Sequence, residues 1–142
     1  MYNFKGTNMR NSWLLLVAFS MSTALALDLL PAKVSFKNLK DGARLTSPFK
    51  VEMKVEGMAL SPAGKAPDDK HSGHHHLIVD GKAMALGEVI PSDETHLHFG
   101  KGQTETDLKL SPGPHTLTLQ FADGAHRSFG PELSTTIKIV VK

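Results

Sequence analysis

The chain has 142 residues, room for one ordinary domain, with 16 basic and 14 acidic side chains and a formal net charge of +2 at pH 7. It has no cysteine, which excludes disulfide staples, thiolate metal sites and cysteine nucleophiles. The excess positive charge comes from Lys5 and Arg10, so the chain beyond residue 26 is formally neutral and offers no basic face for nucleic acid.

After those two charges an apolar run extends from Trp13 to Leu27, and Ala24-Leu25-Ala26 forms a small-x-small cleavage site. This is the layout of a secretory signal peptide over residues 1–26. The run falls short of the roughly 20 residues that span a membrane; an uncleaved anchor is the alternative. In either case the remainder leaves the cytoplasm. Residues 27–142 are expected to form one His-rich domain, periplasmic or secreted, with no membrane attachment after cleavage.

Helix signals are sparse beyond the leader, and short β-prone runs alternate with turn residues. Lys33–Asn38 predicts a first strand, ended by Asp41-Gly42. Phe49–Gly57 predicts a second, with Phe49, Val51, Met53 and Val55 alternating with charged residues. Residues 58–73, rich in Gly, Pro, Ala, Ser and Asp, predict a long loop of the kind that often carries function. His74–Val79 is the third strand, and Asp80-Gly81 is a two-residue hairpin signal with Lys82–Leu86 returning beside it. Thr95–Phe99 and Thr104–Leu110 follow. Ser111-Pro112-Gly113-Pro114 makes a turn, His115–Ala122 alternates cleanly, and Glu132–Val141 closes the domain. Seven to eight short strands at this spacing predict an all-β, immunoglobulin-like antiparallel β-sandwich, with a small barrel as the competitor.

All eight histidines lie between His71 and His126. Residues i and i+2 of a strand point to the same face about 6.6 Å apart, so two imidazoles in His-x-His can converge on one ion. His74/His76 and His96/His98 are two such pairs, and four imidazoles meet if their strands are neighbours. His126 or His71 would complete or cap the site. The metal ligands are therefore expected among His74, His76, His96, His98 and His126. His71 reads better as a solvated loop residue than as a ligand. His75 and His115 share faces with aliphatic residues and read as buried or supporting groups. Imidazole suits zinc, copper, iron and nickel alike. An all-His set on a strand surface points to copper or zinc. Met58 and Met84 read as core filler, with a thioether role toward Cu(I) as the alternative. Asp80 and Asp123, each before a glycine, read as turn residues, with ligating or orienting a His as the alternative.

At these same residues the sequence resembles the domain-of-unknown-function family numbered 4399, found in exported bacterial proteins. The resemblance is carried by Gly57-Met58 through Pro62-Ala63-Gly64, by Gly73-His74-His75-His76-Leu77-Ile78-Val79-Asp80, by His96-Leu97-His98-Phe99-Gly100 through Thr106, and by Pro112-Gly113-Pro114-His115-Thr116-Leu117 with Asp123 and His126. It extends over nearly all of residues 33–142 and implies an extracytoplasmic β-rich domain without naming an activity. The family pattern has a second His near the position held here by Phe129, so the last loop supplies one imidazole rather than two.

Three functions compete. The first is non-catalytic handling of copper or zinc, with affinity falling below about pH 6.5 as the imidazoles protonate. Its partners would be the ion and another periplasmic protein. The second is a cupin-like metalloenzyme built on His74, His76, Asp80 and His115, which would not need His96 or His98. The third is a metal-free interaction or pH-sensing module.

Overall fold

The structure, a computed structural model, describes residues 31–142; the leader expected over residues 1–26 lies outside the described residues. Among the described residues, nine strands form two packed sheets. In chain order they are β1 Lys33–Phe36, β2 Ala43–Leu45, β3 Phe49–Glu56, β4 Ala59–Leu60, β5 Ser72–Val79, β6 His96–His98, β7 Glu105–Leu108, β8 Gly113–Ala122 and β9 Ser134–Val141, the last preceded by a short 3-10 turn at Pro131–Leu133. One sheet has the order β1-β3-β7; the other has the order β2-β9-β8-β5-β4, with β6 also paired to β5. The pairings are antiparallel except β2 with β9 and β4 with β5, which are parallel.

Period-two patterning decides which residues fill the space between the sheets. Phe49, Val51 and Met53 point inward from β3; Leu117, Leu119 and Phe121 from β8; Ile137, Ile139 and Val141 from β9. Leu77 and Val79 of β5 join them. The predicted all-β sandwich is the observed fold.

β5 differs from its neighbours because all eight of its residues are buried. Its inner face meets the core. Its outer face, which carries His74, His76 and Ile78, is covered by loops. One cover is residues 61–70. The other is residues 81–95, which cross the outer face of the six-stranded sheet as a strap. Thr118 Oγ1 donates to Gly81 O at 2.9 Å and Gln120 Oε1 accepts from Met84 N at 3.1 Å along its path.

That strap corrects the expected hairpin at Asp80-Gly81. Lys82–Leu86 forms no strand. The free edge of β5 is already taken by β6, through His76–His98, Leu77–Leu97 and Ile78–His96. Asp80 turns instead toward β8 in a left-handed conformation, φ 56°, with its Oδ1 accepting Thr116 N at 2.8 Å. Two short strands also escape the sequence pattern. β2 lies inside the first expected turn region. β4 and the start of β5 occupy the ends of the expected 58–73 loop.

His115, beside the Asp80 turn, is held by both ring nitrogens. Nδ1 lies 2.8 Å from Asp80 Oδ2 and Nε2 lies 2.9 Å from the Ser111 carbonyl. Both partners accept, so the ring satisfies both only as imidazolium. The Asp80 hydrogen bond, then the Ser111 carbonyl, raise the pKa of His115 above its ordinary value. A raised folded-state pKa gives stabilisation that is complete below the unfolded value near 6.5 and is lost as pH rises through the folded value. Thermal melts of His115→Asn should therefore lie below wild type at pH 6 and approach it at pH 9. A gap that widens with pH would show that the clasp is not ionic.

Candidate metal centre

β5 turns His74 and His76 to the same outer face, as their spacing requires. The register pairs His76 with His98 of β6 across one edge and His74 with Ala122 of β8 across the other. Three imidazoles thereby meet without any loop. His74 Nε2 lies 3.1 Å from His76 Nε2 and 3.2 Å from His98 Nε2. One nitrogen from each of the three lies within 4.8 Å of the other two, a group able to hold a metal ion.

His126 comes from the turn after β8, and its Nε2 lies 3.2 Å from His98 Nε2. Its ring centroid is 4.7 Å from His98 and 5.2 Å from His74 but 6.0 Å from His76, so it borders the group on one side.

His96 is the expected ligand that the structure keeps apart. It stands opposite Ile78, one pleat repeat beyond the cluster. Its Nδ1 is 2.9 Å from Asp93 Oδ1. The pleat does put His96 and His98 on one face. Only one of them lies level with His76, and the acidic turn before β6 draws the other ring to itself. His71 is exposed on its loop, as the solvated reading holds. His75 faces the core, edge-on to Phe121 with ring centroids 5.1 Å apart. The cupin-like grouping is not assembled. Asp80 and His115 sit at the far end of β5, six residues or roughly 20 Å along the strand from His74.

The local backbone is shaped to these rings. A Cβ at Gly100 would overlap the His98 imidazole, and one at Gly73 would overlap the Ala122 carbonyl. The loop over the site is fastened to both outer ligand segments: Ala63 N donates to Gly100 O and Gly64 N to Gly124 O, each at 2.8 Å.

Two residues that no sequence motif marked as functional support the arrangement. Arg127 joins the turn to the loop, with its Nε 2.7 Å from Asp123 Oδ2 and its Nη2 2.7 Å from Pro67 O and 2.8 Å from Asp68 Oδ1. Gln120, opposite His76 on β8, is fully buried and donates to Gly130 O at 2.9 Å. Asp123, one of the two turn aspartates singled out in the sequence, has its carboxylate committed to the turn. Its Oδ1 accepts Ala125 N and Arg127 N, both at 2.9 Å. Burial opposes its charge, yet the Arg127 bonds and the Ala125 N–H hold it below the ordinary carboxylate pKa.

The electrostatics favour neutral rings. Desolvation, followed by the neighbouring imidazoles, pushes His74 down to about 4 and His76 down to about 2. Burial also lowers His98 and takes His75 down to about 4. A buried imidazole that stays neutral keeps a lone pair available, the form a metal ligand needs. The Nδ1 atoms of His74 and His76 have no hydrogen-bond partner among the described residues. The Nε2 atoms meet one another in three contacts. Each of those nitrogens offers one proton or one lone pair, so the contacts cannot all be good hydrogen bonds.

The sequence profile of a domain of unknown function, DUF4399, matches residues 51–142, and the chain belongs to that family. The match begins inside β3 and includes every histidine of the cluster, leaving β1 and β2 outside it. Curated proteins yield no match. Among solved structures, the endo-beta-1,4-mannanase from Thermotoga petrophila is similar at 16% identity and a TM-score of 0.48, over 82% of this chain. The chain covers 21% of that enzyme's chain.

Buried neutral histidines make stability depend on acid. The unfolded chain takes up protons near pH 6.5, whereas the folded one resists until about 4 at His74 and His75. More protons on the unfolded state below pH 6.5 means full stability above that value and a progressive loss toward pH 4. The metal-free protein should melt at steadily lower temperature from pH 7 to pH 5. His75→Phe should flatten that slope, because it removes one buried base while filling the same space beside Phe121. Parallel slopes for the two proteins would mean that His75 is charged in the folded state.

Proposed function

We propose that this DUF4399 protein is an exported, non-catalytic handler of a transition metal, copper or zinc, bound by His74, His76 and His98 with His126 in reach. The observation that carries the reading is the set of Nε2–Nε2 distances, 3.1 Å and 3.2 Å, among buried rings kept neutral by desolvation. Lone pairs at that spacing repel one another, and a single cation between them satisfies all at once. The spacing also fits an ion: nitrogens about 2.0 Å from a tetrahedral centre stand about 3.3 Å apart. Imidazole-only donors suit copper and zinc, and among the described residues no hard oxygen ligand joins the group.

A handling role is supported by what surrounds the ion site. Catalytic zinc keeps a position open for water or substrate. Here a fourth imidazole borders the three, and loop 61–70 is fastened beside them. Export is supported by the leader pattern in the sequence.

The test is equilibrium dialysis of the untagged protein against Zn(II), Cu(II) and, under reductant, Cu(I), with metal analysis and thermal melts. One ion per chain is expected. At free metal a hundredfold above Kd, binding adds about 2.7 kcal/mol, a rise in Tm on the order of 10 °C for a domain of this size. His74→Asn and His98→Asn should abolish uptake and the rise in Tm, and His96→Asn should leave both intact. Failure of the wild type to take up any of the three ions would sink the proposal. So would unchanged uptake by His74→Asn.

A further inference from the structure

We infer that His126 is the exchangeable ligand of this site, the imidazole that an incoming donor displaces when the ion passes to another molecule, while His74, His76 and His98 stay in place. The inference rests on the metal-binding reading above. It adds a division of labour among the four rings.

The four are anchored in two different ways. His74 and His76 belong to β5, which is hydrogen-bonded to β8 along one edge and to β4 and β6 along the other. Both are fully buried. His98 sits within the β5–β6 ladder, and the next residue, Phe99, donates its N–H to His75 O at 3.1 Å. Moving any of these three rings far from the common point disturbs the sheet or the core beneath it.

His126 belongs to no strand: beyond its own turn, its backbone carbonyl accepts Ile90 N–H from the strap at 2.9 Å, which fixes the main chain and leaves the ring free to turn. It lies in a turn closed by its own N–H to Asp123 O at 2.9 Å and by Asp123 N–H to Arg127 O at 3.0 Å. The turn is held by the Asp123 carboxylate whatever the His126 ring does. The ring is half-buried, touches the group through His98, and stands farthest from His76. A swing of the side chain alone would free it. The backbone of His126 is left-handed, φ 65°, a region that residues other than Gly seldom occupy, with His, Asn and Asp enriched among those that do. Strained residues of this kind cluster at functional sites, where the surrounding structure holds them.

Three rigid donors and one loose donor define a route. An imidazole, thioether or thiolate from an acceptor approaches on the His126 side, forms its bond to the ion as the His126 bond breaks, and then draws the ion away from the three fixed rings. The ion keeps its oxidation state throughout, and only its donors change.

The experiment loads the untagged protein with Zn(II) and follows release to a coloured chelator by stopped flow at several chelator concentrations. It compares wild type, His126→Asn, His126→Gly and His74→Asn. Both residues introduced at 126 accept the left-handed backbone, so the metal-free melting temperature should hold or rise. Their loading should remain one ion per chain, with release at least about tenfold faster, equivalent to about 1.4 kcal/mol. His74→Asn should fail to load. Release at the wild-type rate from both variants would overturn the inference, since His126 would then not be a ligand. Complete loss of loading in both would overturn it too, since His126 would then belong to the fixed set. Either result with a loaded wild type leaves metal binding itself standing. A wild type that does not load overturns both.

Discussion

The site depends on keeping imidazoles out of water. A ring that titrates near neutrality in solution is held neutral when water cannot solvate its cation, and His74 and His76 are fully buried on a central strand. Desolvation therefore does two things together: it preserves the lone pairs and it makes their mutual approach costly. The rest of the molecule serves that condition. The core fixes the inner face of β5, and two loops cover its outer face. Sandwich strands commonly bury one face and expose the other; β5 buries both, and polar residues occupy the face that would ordinarily be wet.

Much of this was legible in the sequence, because β structure writes itself with a period of two. The alternation in Phe49–Glu56 and His115–Ala122 predicted strands that form within a residue or two of their expected ends. The same rule placed His74 and His76 on one face. What the rule cannot supply is register. Nothing in the spacing of His96 and His98 says which of them lies level with His76. The answer depends on where β6 starts to pair with β5, and the Asp93 turn settles the orientation of the other ring. The strap over residues 81–95 was hidden for a related reason. Its contacts run to Thr118, Gln120 and Ser128, polar residues on the outer face of β8 or just beyond it, which in sequence read as solvated.

Supporting residues were the least visible. Arg127 reads in sequence as one cation among sixteen basic side chains. Only the fold shows it reaching Pro67, Asp68 and Asp123 at once. Gln120 likewise looks like an outward-facing polar residue until the strap closes over it. Gly42, Gly81 and Gly113 read in sequence as turn formers, whereas Gly73 and Gly100 matter because neighbouring atoms already fill the place of a side chain.

The double-edged pairing of β5 has a consequence for discrimination. A pocket assembled from mobile loops can shrink or swell around whatever ion arrives. Rings mounted on a strand zipped along both margins have little such latitude, so the scaffold acts as a fixed gauge. On the metal-binding reading, such a gauge would match ions that take nitrogen at about 2.0–2.1 Å better than calcium, which takes oxygen ligands at about 2.3–2.6 Å. Such a gauge needs no adjustment on filling, because the ordering of the donors is completed when the chain folds.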